Sequence, residues 1–67
     1  MIDKMLATPL STTTALTNVY VRTGPGTEYK KAGKVKEGDI VGYTIIIDGW
    51  LYLPEKNGWS RSSYYKL

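Results

Sequence analysis

From Val19 the chain alternates, apolar and polar, through Val19-Tyr20-Val21-Arg22-Thr23, and then meets Gly24-Pro25-Gly26. A two-residue period predicts a strand with both valines on one face and Tyr20 and Arg22 on the other. Lys34-Val35-Lys36 repeats the alternation between Gly33 and Gly38. The longest apolar run, DIVGYTIII from Asp39 to Ile47, reads as one strand, with Gly42 marking a bend or bulge. It ends at Asp48-Gly49, a turn pair in which glycine tolerates the positive φ of a tight hairpin. WLYLP follows from Trp50 and closes at Asn57-Gly58, a second hairpin signal. Trp59-Ser60-Arg61 is then a short strand, Ser62-Ser63-Tyr64 a helical turn and Tyr65–Leu67 a closing strand. Upstream, the β-branched and polar STTTALT of residues 11–17 reads as a half-buried first strand. Outside the first ten residues no window carries a 3.6-residue period. The prediction is an all-β fold over residues 11–67, a small barrel of five to six short antiparallel strands. Closure matters because an open edge as apolar as IVGYTIII would pair with neighbouring chains.

Composition narrows the chemistry. Sixty-seven residues make one domain, and a chain near that size buries only about 60% of its unfolded surface. The chain has no cysteine and no histidine, which removes disulfides, zinc fingers, thiol nucleophiles and the commonest general base. Two Trp and six Tyr, with no Phe, supply large rings that each keep a polar edge. Glu28, Asp39, Asp48 and Glu55 fall at turns or strand ends. They form neither a carboxylate pair for acid–base work nor a cage for a cation. The expectation is a protein that is not an enzyme and uses no cofactor or metal.

Residues 1–10, MIDKMLATPL, are expected to be a flexible leader or linker remnant. Ile2, Met5 and Leu6 have helical spacing, but one turn does not nucleate alone and Pro9 stops it. An ordered oligomer contact is the other reading. This start lacks a basic stretch leading into an apolar one, so synthesis in the cytoplasm without a signal peptide is expected. No run approaches the ~18 apolar residues of a membrane span. The formal charge of +3 is a mild bias towards anionic partners.

Three ordered motifs carry a family likeness. VYVRTGPG with Tyr29 behind it, then VKEG with Gly49-Trp50, then Gly58-Trp59 with Ser62-Ser63-Tyr64, resemble the bacterial SH3 (SH3b) family over roughly residues 12–67. Two positions depart from its pattern. Tyr20 stands where a polar residue is common, and Arg61 where a small or apolar one is. The resemblance implies an SH3-like barrel serving as a non-catalytic binding module. It implies recognition of Gram-positive cell wall, peptidoglycan peptide or wall polymer, as the targeting domain or subunit of a phage endolysin or autolysin. A lytic domain would be attached or associated, and the site of action would be the wall.

By that likeness, aromatics after the two hairpin turns and in the helical turn line a groove, which singles out Trp50, Trp59 and Tyr64. Tyr20 and Arg22 join them from the outward face beside the GPG loop. Arg22 is suited to a forked pairing with a ligand carboxylate. Tyr29 and Tyr65 are secondary candidates, with Tyr29 alternatively packing under the loop. Lys30, Lys31, Lys34 and Lys36 have two readings, a solvated edge guarded against aggregation or attraction to teichoic acid or another polyphosphate. Two further function classes stay open. One is a small phage or bacterial protein–protein interaction protein using the same aromatic face, and homo-oligomerisation fits either it or the wall reading. The other is nucleic-acid binding, against which stands the lack of a concentrated basic face interleaved with rings.

Overall fold

The computed structural model describes residues 11–67, so the expected leader at 1–10 lies outside the described residues. Seven short strands follow one another: β1 Ser11–Thr14, β2 Val19–Arg22, β3 Lys31–Val35, β4 Ile40–Tyr43, β5 Ile46–Ile47, β6 Trp50–Leu53 and β7 Gly58–Arg61. A 3₁₀ turn at Ser62–Tyr64 comes last. The fold is all-β, with β1 and β4 in a two-stranded antiparallel sheet and a five-stranded one ordered β3-β2-β7-β6-β5.

Alternation decides what each strand buries. On β2, Val19 and Val21 point inward while Tyr20 is exposed. On β6, Leu51 and Leu53 point into the same core. Val35 of β3, Val41 of β4, Ala15 and Tyr65 complete it, so both sheets contribute, and Tyr43 packs against its margin. Two connections stitch the sheets into a barrel-like whole. Thr44 N–H donates to the Tyr52 carbonyl (3.2 Å) and Tyr52 N–H to that of Ile45 (3.0 Å), tying the β4–β5 junction to β6. On the other side Ala15 bridges Tyr65, with Leu16 N–H donating to Tyr64 and Lys66 N–H to Thr14, each at 2.9 Å.

Several expectations change in detail. The DIVGYTIII run is two strands in different sheets, and the break falls after Tyr43 rather than at Gly42. The split adds one strand, and the total is seven against the expected five to six. β1 stops at Thr14, and residues 65–67 contribute a single bridge rather than a closing strand. Asp48 and Gly49 both have positive φ (49° and 82°) between the paired Ile47 and Trp50, the two-residue turn their sequence predicts. At the other hairpin Gly58 is not in the turn. Residues 54–57 form the loop, Asn57 takes the left-handed position (φ 52°), and Gly58 already pairs with Leu53.

Gly58 is small for a different reason. A Cβ there would lie 2.5 Å from Val21 Cγ1 and 2.7 Å from the Arg22 carbonyl oxygen, so at this position the approach of β7 to β2 leaves no room for a side chain. Behind this contact runs a buried chain of hydroxyls. Tyr65 Oη–H donates to Ser60 Oγ (2.8 Å), and Ser60 Oγ–H donates to the Tyr20 carbonyl (3.2 Å), joining the C-terminal segment, β7 and β2. Burial pushes the Tyr65 phenol above its ordinary 10.0; the Ser60 contact opposes this and the Asp39 charge adds to it.

Three outcomes follow for stability. Gly58→Ala is expected to destabilise by about 1–3 kcal/mol, because the neighbours it meets are packed side chain and backbone; an unchanged urea midpoint would contradict the close approach. Thr44 Oγ1 is buried with no hydrogen-bond partner among the described residues. Thr44→Val should therefore leave the unfolding free energy unchanged or raise it by up to ~1 kcal/mol, read from the urea midpoint. Tyr65→Phe should cost about 1 kcal/mol at neutral pH. Because the folded-state pKa lies above the unfolded one, that contribution is fully present below pH 10.0 and fades as pH rises through the folded value. The stability difference between wild type and Tyr65→Phe should thus be flat to pH 10.0 and shrink above it.

Candidate ligand-binding site

The face of the five-stranded sheet turned away from the Leu51–Leu53 core carries the alternate residues of β2, β6 and β7. On β6 the residues opposite Leu51 and Leu53 are Trp50 and Tyr52; on β7 they are Trp59 and Arg61. Register sets their neighbours: Trp50 lies across from Arg61, Tyr52 from Trp59, and Arg22 from Trp59. The Arg61 guanidinium sits over the Trp50 ring at 5.2 Å. Tyr52 and Trp59 meet edge to face with centroids 5.2 Å apart.

A depression of about 160 Å³ opens on this face, lined by Val19, Tyr20, Arg22, Thr27, Trp50, Arg61 and Tyr64. Four of the residues singled out from sequence, Tyr20, Arg22, Trp50 and Tyr64, thus come together. Tyr20 and Tyr64 are open to solvent (49% and 46%), whereas Trp50 is 7% exposed and forms the floor. Tyr64 arrives there because the 3₁₀ turn is pinned at its start, where Ser62 N–H donates to the Gly49 carbonyl of the Asp48-Gly49 hairpin (2.8 Å). That bond ties the residue before Trp50 to the turn bearing Tyr64.

The other three candidates lie elsewhere. Trp59 shares the sheet face but not the depression; it packs on Tyr52, whose hydroxyl donates to Asn57 Oδ1 (3.0 Å). Tyr65 points inward and is part of the core, since it follows the outward Tyr64 in extended backbone. Tyr29 lies against the GPG loop with its other side open to solvent (43% exposed): its ring would lie 2.5 Å from a Cβ on Gly24, so that glycine is required by close approach. The loop contributes only Thr27 to the lining.

Arg22 links loop and site. Its Nη1 donates to the carbonyls of Thr27 (3.1 Å) and Tyr29 (2.9 Å), while Thr23 N–H donates to the Lys30 carbonyl (2.9 Å) at the loop's neck. The guanidinium is held in place by the backbone it holds. With Nη1 engaged in this way, the forked pairing expected of Arg22 would fall to Nη2 and Nε.

Two cationic features were not read from sequence as parts of the site. Arg61 lines the depression, and its two-residue separation from Trp59 on a short strand is the signal that places it outward. Lys31 reaches the face through a bulge. Val21 pairs with Gly33 but Arg22 pairs with Lys31, leaving Ala32 as the extra residue. A one-residue offset carries a side chain to the opposite face, and Lys31 Nζ stands 4.0 Å over the Tyr20 ring. Such a contact contributes about 0.5–1 kcal/mol at an exposed site.

The site offers rings to cover flat or apolar ligand surface and cations to meet negative charge. Among the described residues there is no group of three or more His, Cys, Asp or Glu able to hold a metal ion, and no helix long and apolar enough to cross a membrane. No family model matches this chain, and neither curated proteins nor solved structures gave a significant match.

Proposed function

We propose that this chain is a non-catalytic binding module for the Gram-positive cell wall, holding a peptidoglycan peptide or wall polymer in the depression between β2, β6, β7 and the 3₁₀ turn. It would act at the wall as the targeting domain or subunit of a phage or bacterial lytic enzyme. The supporting observation is the meeting of Tyr20, Arg22, Trp50, Arg61 and Tyr64 around one hollow. The SH3b resemblance of the three motifs points the same way, because the aromatics after the first GW hairpin and in the SSY turn are among those that line the hollow. Rings sandwich an extended, slender ligand, and tyrosine hydroxyls pair with its polar groups.

A second reading, a protein–protein interaction module, has a separate observation in its favour. Ile40 (72% exposed), Ile46 and Ile47 present apolar surface outside the depression. Self-association seen by gel filtration and abolished by Ile46→Lys would favour it.

Sedimentation with purified sacculi tests the wall reading. Tyr20→Ala and Tyr64→Ala should each weaken retention roughly fivefold, about 1 kcal/mol for a lost aromatic contact. Both side chains are exposed, so thermal midpoints should stay close to wild type. Unchanged retention of the folded double variant would sink the assignment of this face.

A further inference from the structure

The hollow does not end at Tyr20. On the β3 side of that ring lies a second depression of about 180 Å³, lined by Asn18, Val19, Tyr20 and Lys34. Val19 and Tyr20 line both hollows, so Tyr20 is a ridge between two shallow basins rather than the wall of one. Positive charge stands on each side of the ridge. Lys34 lies opposite Tyr20 in the β2–β3 register and Lys31 Nζ is 4.0 Å over the ring. Arg22 and Arg61 line the other basin. Neither lining includes a carboxylate. Lys34 on β3 and Arg61 on β7 are separated by one intervening strand, β2, which puts their backbones about 10 Å apart across the sheet.

Resting on the reading that this face binds a wall component, we propose that its ligand is a linear wall polymer of the phosphodiester class, which crosses the Tyr20 ridge and is gripped in both basins. The donor inventory argues for this over a peptide. Arginine and lysine donate hydrogen bonds and accept none. A peptide presents donors and acceptors alternately and would leave its N–H groups facing four cations. A phosphodiester presents acceptors only, at intervals, and matches cations placed on both sides of a ridge. The Tyr20 and Tyr64 rings then cover the uncharged carbon links between phosphates. The bulge at Ala32 belongs to the same arrangement, because it turns Lys31 towards Tyr20 and Arg22.

The test uses sacculi that keep or have been stripped of their phosphodiester polymer, with soluble inorganic polyphosphate as competitor. The variant is Lys31→Gln/Lys34→Gln, two exposed residues whose loss leaves the core untouched. Expected are several-fold weaker retention on stripped sacculi and displacement by polyphosphate. The double variant should bind roughly tenfold more weakly at low salt and show a shallower dependence of affinity on salt. Equal retention on stripped sacculi leaves the wall reading standing and overturns the phosphodiester assignment, as does wild-type affinity in the double variant. Competition by a single-stranded oligonucleotide as effective as that by polyphosphate overturns selectivity for the wall polymer. Absence of retention on either preparation, with lysine-dependent polyphosphate binding intact, overturns the wall reading and supports the polyanion grip.

Discussion

The contact between Gly58 and Val21 sets the rest of the structure. At Gly58 β7 lies so close to β2 that there is no room for a side chain, since a Cβ there would press into Val21 Cγ1 and the Arg22 carbonyl. With that approach fixed, Arg22 pairs with Trp59, and the two-residue period does the remaining work. Val21 goes inward and is fully buried, Ser60 goes inward and receives the Tyr65 hydroxyl, and Tyr20, Arg22, Trp59 and Arg61 go outward. A slip of β7 by one residue would exchange its faces and place Arg61 in the core. The chain is short and has no disulfide, so this packing contact takes the place of a covalent restraint between the two halves of the sheet.

The outward face is a consequence of burial rather than an independent feature. Leu51 and Leu53 must enter the core, which sends Trp50 and Tyr52 to the other side of β6. Arg61 then covers the Trp50 ring and Trp59 meets Tyr52, so the face divides into a solvent-open part near Tyr20 and Tyr64 and a self-packed part near Asn57. The division explains why two tryptophans in the same local Gly-Trp context have different roles. Cross-strand partners distinguish them, and those partners are set by register.

What the sequence made legible was whatever depends on neighbours in the chain. The Val19–Arg22 alternation, the Asp48-Gly49 turn and the short helical turn at Ser62–Tyr64 all have local causes, and all appear as read. Contacts between distant residues were not legible. The run from Asp39 to Ile47 looks like one strand by pattern, but its Thr44–Ile45 segment exchanges hydrogen bonds with Tyr52 and so changes sheets. Asn57-Gly58 carries a turn signature while its glycine answers to Val21. The bulge that brings Lys31 to the face has no signal in KKAGK, because any of those residues could have been skipped. Tyr65 and Tyr64 are chemically alike, and it is long-range contacts, the bridge to Ala15 and the bond to buried Ser60, that hold the first in the core.

The GPG loop bears on the site through Arg22 more than through its own surface. A free arginine has about 2 kcal/mol of rotamer entropy to lose on binding, and part of that cost is already met when Nη1 is fixed by the Thr27 and Tyr29 carbonyls. Those partners are neutral dipoles, so they orient the guanidinium without cancelling its charge. The contrast with a carboxylate partner is decisive for the electrostatics. An ion pair would have cancelled the Arg22 charge and left Arg61 as the hollow's one cation, whereas carbonyl anchoring leaves a second full positive charge held still beside Tyr20. Rigidity in the loop and attraction for an anion therefore have one origin, and Gly24 serves it by leaving room for the ring of Tyr29, whose carbonyl anchors Arg22.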